Sequence, residues 1–212
     1  MFQCADCDAK AEKYWADRKA RDESEATDSR LRRSGLPRRF LDGTITWADV
    51  SRKLGDLAAC ADVMRAGRGL YLYGAAGTYK TSFAASYLAE AIRSGGSGQY
   101  VYVPDLFTEL SEIYAADDAR SRADVIDRYA GAGWLVLDDL DKAKPSRHAA
   151  EVLLAILDYR YREGLRCLFV TANQSIDDIA QPFARDVGEN FSEPLARRLS
   201  EMCASVPMGA KD

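Results

Sequence analysis

No apolar run in this chain approaches the roughly 18 residues that a membrane-spanning helix needs, so a helical membrane anchor is not expected. The first residues, MFQCADCDAK, lack the apolar centre of a secretory signal, and the expected compartment is the cytoplasm. Histidine is scarce: His148 is the only one. A basic excess is missing too, since 29 Lys and Arg face 33 Asp and Glu for a formal net charge of −4. Such a chain cannot coat nucleic acid wholesale, and any DNA contact has to come from a local basic patch. Internal repeats and low-complexity segments are absent. Cysteines are few and scattered (Cys4, Cys7, Cys60, Cys167, Cys203), and in a cytoplasmic setting they read as reduced thiols. What remains, 212 residues with 47% hydrophobic and 29% charged side chains, describes a globular domain with an extension.

The extension is charged. Lys10, Glu12, Lys13, Asp17, Arg18, Lys19, Arg21, Asp22 and Glu23 alternate in sign with few apolar anchors, which reads as a solvated helix or a mobile arm. Gly35 and Pro37 punctuate it, and the globular part is expected from Phe40 onward, giving an extension over residues 1–39 and a domain over 40–212. Thr46 and Asp49 have the spacing of a capping box, followed by Val50, Leu54, Leu57, Ala61 and Met64 at helical period.

Strand and helix then alternate. Apolar runs at Leu70–Tyr73, Tyr100–Val103, Leu135–Leu137, Cys167–Val170 and Ala204–Val206 predict five strands, the second ended by Pro104. Between them, Phe83 to Ile92, Leu106 to Ile113, Ala123–Tyr129 and Val152 to Leu157 predict helices. Ser175 is placed to cap a further short helix, and Pro194 is expected in the first turn of a late one. The fold class is therefore α/β, a five-stranded parallel sheet between helices.

The first strand runs directly into Gly74-Ala75-Ala76-Gly77-Thr78-Tyr79-Lys80-Thr81, with Ser82 behind it. The phosphate-loop pattern is G-x-x-x-x-G-K-[ST] between a strand and a helix. Its backbone N–H groups and the helix N-terminus hold phosphates, the lysine reaches the β/γ-phosphates and the hydroxyl holds Mg²⁺. Tyr79 is out of pattern, because glycine belongs there. A negative φ at Tyr79, turning the ring away from the phosphates, is expected, because a positive φ would cost a residue with Cβ about 1–3 kcal/mol.

Trp134-Leu-Val-Leu-Asp138-Asp139 delivers two carboxylates at the end of the third strand. In phosphoryl transfer one such acid holds Mg²⁺ and the other orients the attacking water. Aspartates also satisfy turn backbone at strand exits, so the pair acquires force from its place behind the loop. Asn173 at the end of the fourth strand suits a turn as well as a γ-phosphate contact. Arg197-Arg198 suits a solvated face as well as an arginine that reaches a neighbour's nucleotide.

In the order GAAGTYKT, PDLFTEL, LVLDDL, DYRY, VTAN and ARRLSEMC, residues 36–207 resemble the DnaC/IstB family of AAA+ proteins. That resemblance implies an ATP- and Mg²⁺-dependent ATPase that loads a replicative DnaB-type helicase onto single-stranded DNA, or assists a transposase. It implies Mg²⁺ at Thr81 and Asp138, catalysis through Asp139, a sensor role for Asn173, and an arginine finger at Arg198 that acts in trans when protomers associate. Pro104-Asp105-Leu106 and the helices after it would contact single-stranded DNA. A degenerate adaptor that no longer hydrolyses ATP is a third reading, favoured by Tyr79 and by the missing C-terminal arginine, and Arg197 also stands where serine is usual. No sensor-2 arginine is seen before the last residues, Met208 to Asp212. Cys4 and Cys7 resemble half of the zinc ribbon of some members, but tetrahedral zinc needs four ligands and zinc is not expected.

Overall fold

The computed structural model describes residues 5–54, 60, 63–64, 67–142, 144 and 146–209. Cys4, Leu57 and Ala61 lie outside the described residues, as does the side chain of Cys7.

The charged extension forms one helix, α1 (Ala5–Arg33), exposed over residues 13–26. Its end is built into the globular unit. Arg30 donates to the carbonyls of Gly95 and Gly96, and Leu31 and Leu36 are buried in the same cluster as Phe40. Burial thus begins ahead of the expected Phe40. A short helix α2 (Arg38–Leu41) leads to α3 (Trp47–Leu54), whose start carries the expected reciprocal cap: Asp49 N–H donates to Thr46 Oγ1 at 3.2 Å and Thr46 N–H donates to Asp49 Oδ2 at 3.2 Å.

The sheet strands are β1 (Gly69–Tyr73), β2 (Gly98–Tyr102), β3 (Trp134–Asp138), β4 (Leu168–Ala172) and β5 (Cys203–Pro207). They lie in the order β2-β3-β4-β1-β5 with every neighbouring pair parallel. The crossovers are α4 (Lys80–Arg93) after β1, α5 (Val103–Ala115) and α6 (Ala119–Ala130) after β2, α7 (Arg147–Arg162) after β3, and α8 (Ile176–Val187) with α9 (Glu189–Met202) after β4. Successive strand side chains point to opposite faces. Leu70, Leu72, Val136 and Phe169 accordingly pack with Phe83 and Leu88 of α4, whereas Tyr71, Leu135, Leu137 and Val170 pack with Leu153 and Ile156 of α7. Trp47 of α3 meets Phe83 and Tyr87 edge-on with ring centroids 5.2 Å apart, which docks α3 on α4.

Two boundary expectations change. Pro104 does not merely end β2: Val103 already belongs to α5, and Pro104 occupies its first turn, where a missing N–H costs nothing. Pro194 lies inside α9 rather than in its first turn. Gly188, at φ 92°, stops α8, so α9 begins at Glu189 and the proline falls in its body, forgoing one backbone hydrogen bond.

Candidate active site

In an open parallel sheet, ligands bind beyond the carboxyl ends of the strands, where neighbouring connections diverge. Here β1 ends in the glycine-rich loop, β3 in the aspartate pair and β4 in Asn173, so three separated segments face one cleft of about 360 Å³. Gly74 opens the loop at φ 143°, and a Cβ there would collide with the carbonyl of Met208. Gly77 takes φ 84°. Tyr79 takes φ 66° and ψ 16°, so the expectation of a negative φ fails. The loop backbone keeps the left-handed turn that leads into α4, and the tyrosine bears the strain. Its ring still turns outward, 44% exposed, with Lys53 Nζ 5.5 Å from its centroid.

Lys80 is buried, and its ammonium donates to Gly74 O at 2.7 Å, Ala75 O at 2.8 Å and Asn173 Oδ1 at 3.2 Å. Burial pushes this ammonium below its ordinary range, while Asp139, Asp141 and Asp138 pull it back up. Thr78 Oγ1 closes the loop on Ala75 O at 2.9 Å. The predicted loop lysine and the sensor asparagine are therefore in direct contact.

Thr81 Oγ1 donates to Asp138 Oδ1 at 2.8 Å, so the two residues expected at Mg²⁺ are also together. A hydroxyl and a carboxylate side by side are hard oxygen donors of the kind that Mg²⁺ takes beside phosphate and water. Among the described residues there is no group of three or more His, Cys, Asp or Glu that could hold a metal ion by itself.

Two further hydroxyls hold Asp138, and neither was legible in the motifs. Thr171 Oγ1 donates to Oδ1 at 2.6 Å and accepts from Asp139 N–H at 2.9 Å. Tyr100 OH donates to Oδ2 at 2.6 Å. Burial first, then the Asp138 charge, pushes the Tyr100 phenol up, which keeps it a donor. Asp139 sits at φ 56°, with Oδ2 2.6 Å from Lys142 Nζ.

Arg198 lies elsewhere. It pairs with Asp158 and, at 2.9 Å, with Glu201, and its guanidinium stacks on Tyr161 with 4.4 Å to the ring centroid. Asp158 holds its guanidinium above the ordinary range. Arg197 is largely exposed and pairs with Glu201 at 3.5 Å. The DYRY segment thus has structural work: Asp158 and Tyr161 hold Arg198, and Arg160 is wholly buried, donating to the carbonyls of Tyr129, Ala130, Ala132, Gly133 and Cys167.

Residues 16–211 match the sequence model of the IstB-like ATP binding proteins. The chain belongs to that family. Among solved structures, this IstB-like chain is similar to DnaI, at 25% identity over 82% of this chain and 95% of that one, with a TM-score of 0.69. It is also similar to the DnaC helicase loader, at 21% identity, 82% and 100% coverage and a TM-score of 0.60. The replication initiator DnaA bound to AMPPCP and single-stranded DNA is 16% identical, with 79% and 50% coverage and a TM-score of 0.62. No curated protein matches the chain. The AAA+ P-loop fold read from the sequence, with its five-stranded parallel sheet among helices, is the fold of this IstB-like protein. Among the described residues no helix is long and apolar enough to cross a membrane.

Proposed function

We propose that this IstB-like protein binds and hydrolyses ATP with Mg²⁺ to load a replicative DnaB-type helicase onto single-stranded DNA. The observation that carries the reading is the convergence of Lys80 with Asn173 and of Thr81 with Asp138 in one cleft. Backbone N–H groups from Gly74 to Ser82 would cradle the phosphates, Thr81 and Asp138 would hold Mg²⁺, and Asp139 would orient the attacking water. Held there, Mg²⁺ would supply charge neutralisation for the transferring phosphoryl group. The protein residues position it. The similarity to the DnaC helicase loader supports the helicase as partner. Arg120, Arg122 and Arg128 are exposed on α6 but alternate with exposed Asp124 and Asp127, and Arg128 pairs with Glu109 at 3.6 Å, so the DNA contact in this reading rests on the family resemblance and not on a basic patch.

Arg198 acts in trans in this reading, and it has to leave Asp158 and Glu201 to do so. Mixing Asp139→Asn with Arg198→Ala protein should then restore part of the ATPase activity that neither has alone. No recovery at any ratio, with assembly verified, counts against the trans arginine. The IstB-like family match favours a second reading, a transposase helper. Light scattering of the chain with the replicative helicase or the transposase of its own organism, in ATP and Mg²⁺, separates the two. A complex with the transposase alone sinks the loader assignment.

A further inference from the structure

Lys142 belongs to none of the motifs, yet it lines the phosphate cleft together with Lys80, Asp139 and Asn173. It is the last residue of the 3-10 turn Leu140–Lys142, which buried Leu140 anchors and which Lys142 N–H closes on Asp139 O at 3.0 Å. The lysine therefore comes back onto the acid that precedes its turn. Its Nζ engages Asp139 Oδ2 at 2.6 Å, which occupies an oxygen of the group that has to orient water.

The charges in the cleft are unevenly matched. The four acceptors of Lys80 (Gly74 O, Ala75 O, Thr78 Oγ1 and Asn173 Oδ1) are all uncharged oxygens. Lys142 has the carboxylate of Asp139, and its own side chain is half-exposed, whereas Asp139 is mostly covered. Both lysines line the same cleft, and after burial the charge of Lys142 also opposes that of Lys80. A polyanion between them relieves that repulsion and offers Lys142 more negative charge than one carboxylate does.

We propose that Lys142 is a ligand of the terminal phosphate, exchanging its pairing with Asp139 for the γ-phosphate when a nucleoside triphosphate binds. The inference rests on reading the cleft as the ATP site. The exchange frees Asp139 Oδ2 to accept a hydrogen bond from the attacking water only when a γ-phosphate is present. A diphosphate ends short of Lys142 and leaves the Asp139–Lys142 pair intact. The cleft thus distinguishes ATP from ADP through one lysine of the same chain.

Calorimetric titration with Mg²⁺-AMPPCP and with Mg²⁺-ADP tests this on wild type, Lys142→Ala and Lys142→Arg. Losing one charge-assisted contact should weaken AMPPCP binding by about tenfold in Lys142→Ala and ADP binding by less than about twofold. Lys142→Arg should return AMPPCP affinity to within about threefold of wild type. Retained ADP binding doubles as evidence that the variant is folded. Equal losses for both nucleotides, or an unchanged AMPPCP affinity, overturn the assignment. Wild-type protein that binds neither nucleotide overturns the ATP reading itself and Lys142 with it.

Discussion

Lys80 and Arg160 are both buried cations held by backbone carbonyl oxygens, yet their surroundings differ. Lys80 sits at the floor of an open cleft, with two loop carbonyls and the Asn173 amide oxygen as partners. Arg160 is sealed between the end of α6 and the starts of β3 and β4, with carbonyls from five residues converging on it. Burial pushes the Arg160 guanidinium down to about 10, so it stays charged at neutral pH. The same type of ligand therefore serves two ends. Where an incoming anion can reach the cation, carbonyls hold it in readiness. Where nothing can, they tie the end of α6 to the starts of two neighbouring strands.

Breaking the sealed cradle should have the largest effect. Arg160→Met leaves several buried carbonyls without a donor and should cost about 3 kcal/mol or more of stability in urea unfolding, with nucleotide absent. A loss below about 1 kcal/mol would mean that water or other donors replace the guanidinium. The open cradle should behave oppositely. Lys80→Ala should change intrinsic stability little but remove the ATP-dependent stabilisation, about 2.7 kcal/mol at a hundred times Kd, seen as a lost rise in melting temperature. A Lys80→Ala protein that keeps that rise would move the phosphate site away from the loop.

Tyr100 tests the layer behind Asp138. Tyr100→Phe strands one oxygen of buried Asp138 and should cost about 1–2 kcal/mol. The phenol of Tyr100 is raised in the folded protein, so its contribution is fully present below about pH 10 and is lost as the pH climbs above that. The variant should consequently unfold less steeply with alkali than wild type does. Superimposable alkaline unfolding curves would remove Tyr100 from the network. The smallest effect is expected at Tyr79. Replacement by glycine relieves the left-handed strain and should stabilise the protein by about 1 kcal/mol, with ATP affinity tightened by about tenfold. Unchanged affinity would show that the strain is borne without touching the phosphates.

These positions differ in how far the sequence announces them. The loop, Asp138, Asp139 and Asn173 were legible because each sits at the end of an apolar run, and a parallel sheet brings such ends to one edge. Tyr100 was not, because its contact depends on β2 lying beside β3 in register, with Tyr102 opposite Asp138. Thr171 was overlooked within VTAN because its hydroxyl meets Asp138 across the β3–β4 boundary. Lys142 reaches the cleft by a turn too short to announce itself by periodicity. The sign of φ at Tyr79 is imposed by the loop around it, which the strain of a single residue does not reveal. Pro194 misled through the start of α9, which a glycine rather than the proline decides.

The contact between Gly74 and Met208 has a practical side. Met208 N–H donates to the carbonyl of Tyr73, the residue just before the loop, and the Met208 carbonyl fills the space that a side chain at position 74 would need. Anything joined behind that residue is tethered to the first link of the phosphate loop. An affinity tag or fluorescent fusion placed there pulls on the glycine-rich loop itself. A tag ahead of α1 hangs on a helix that is exposed over residues 13–26, so that end is the one to immobilise on a sensor surface.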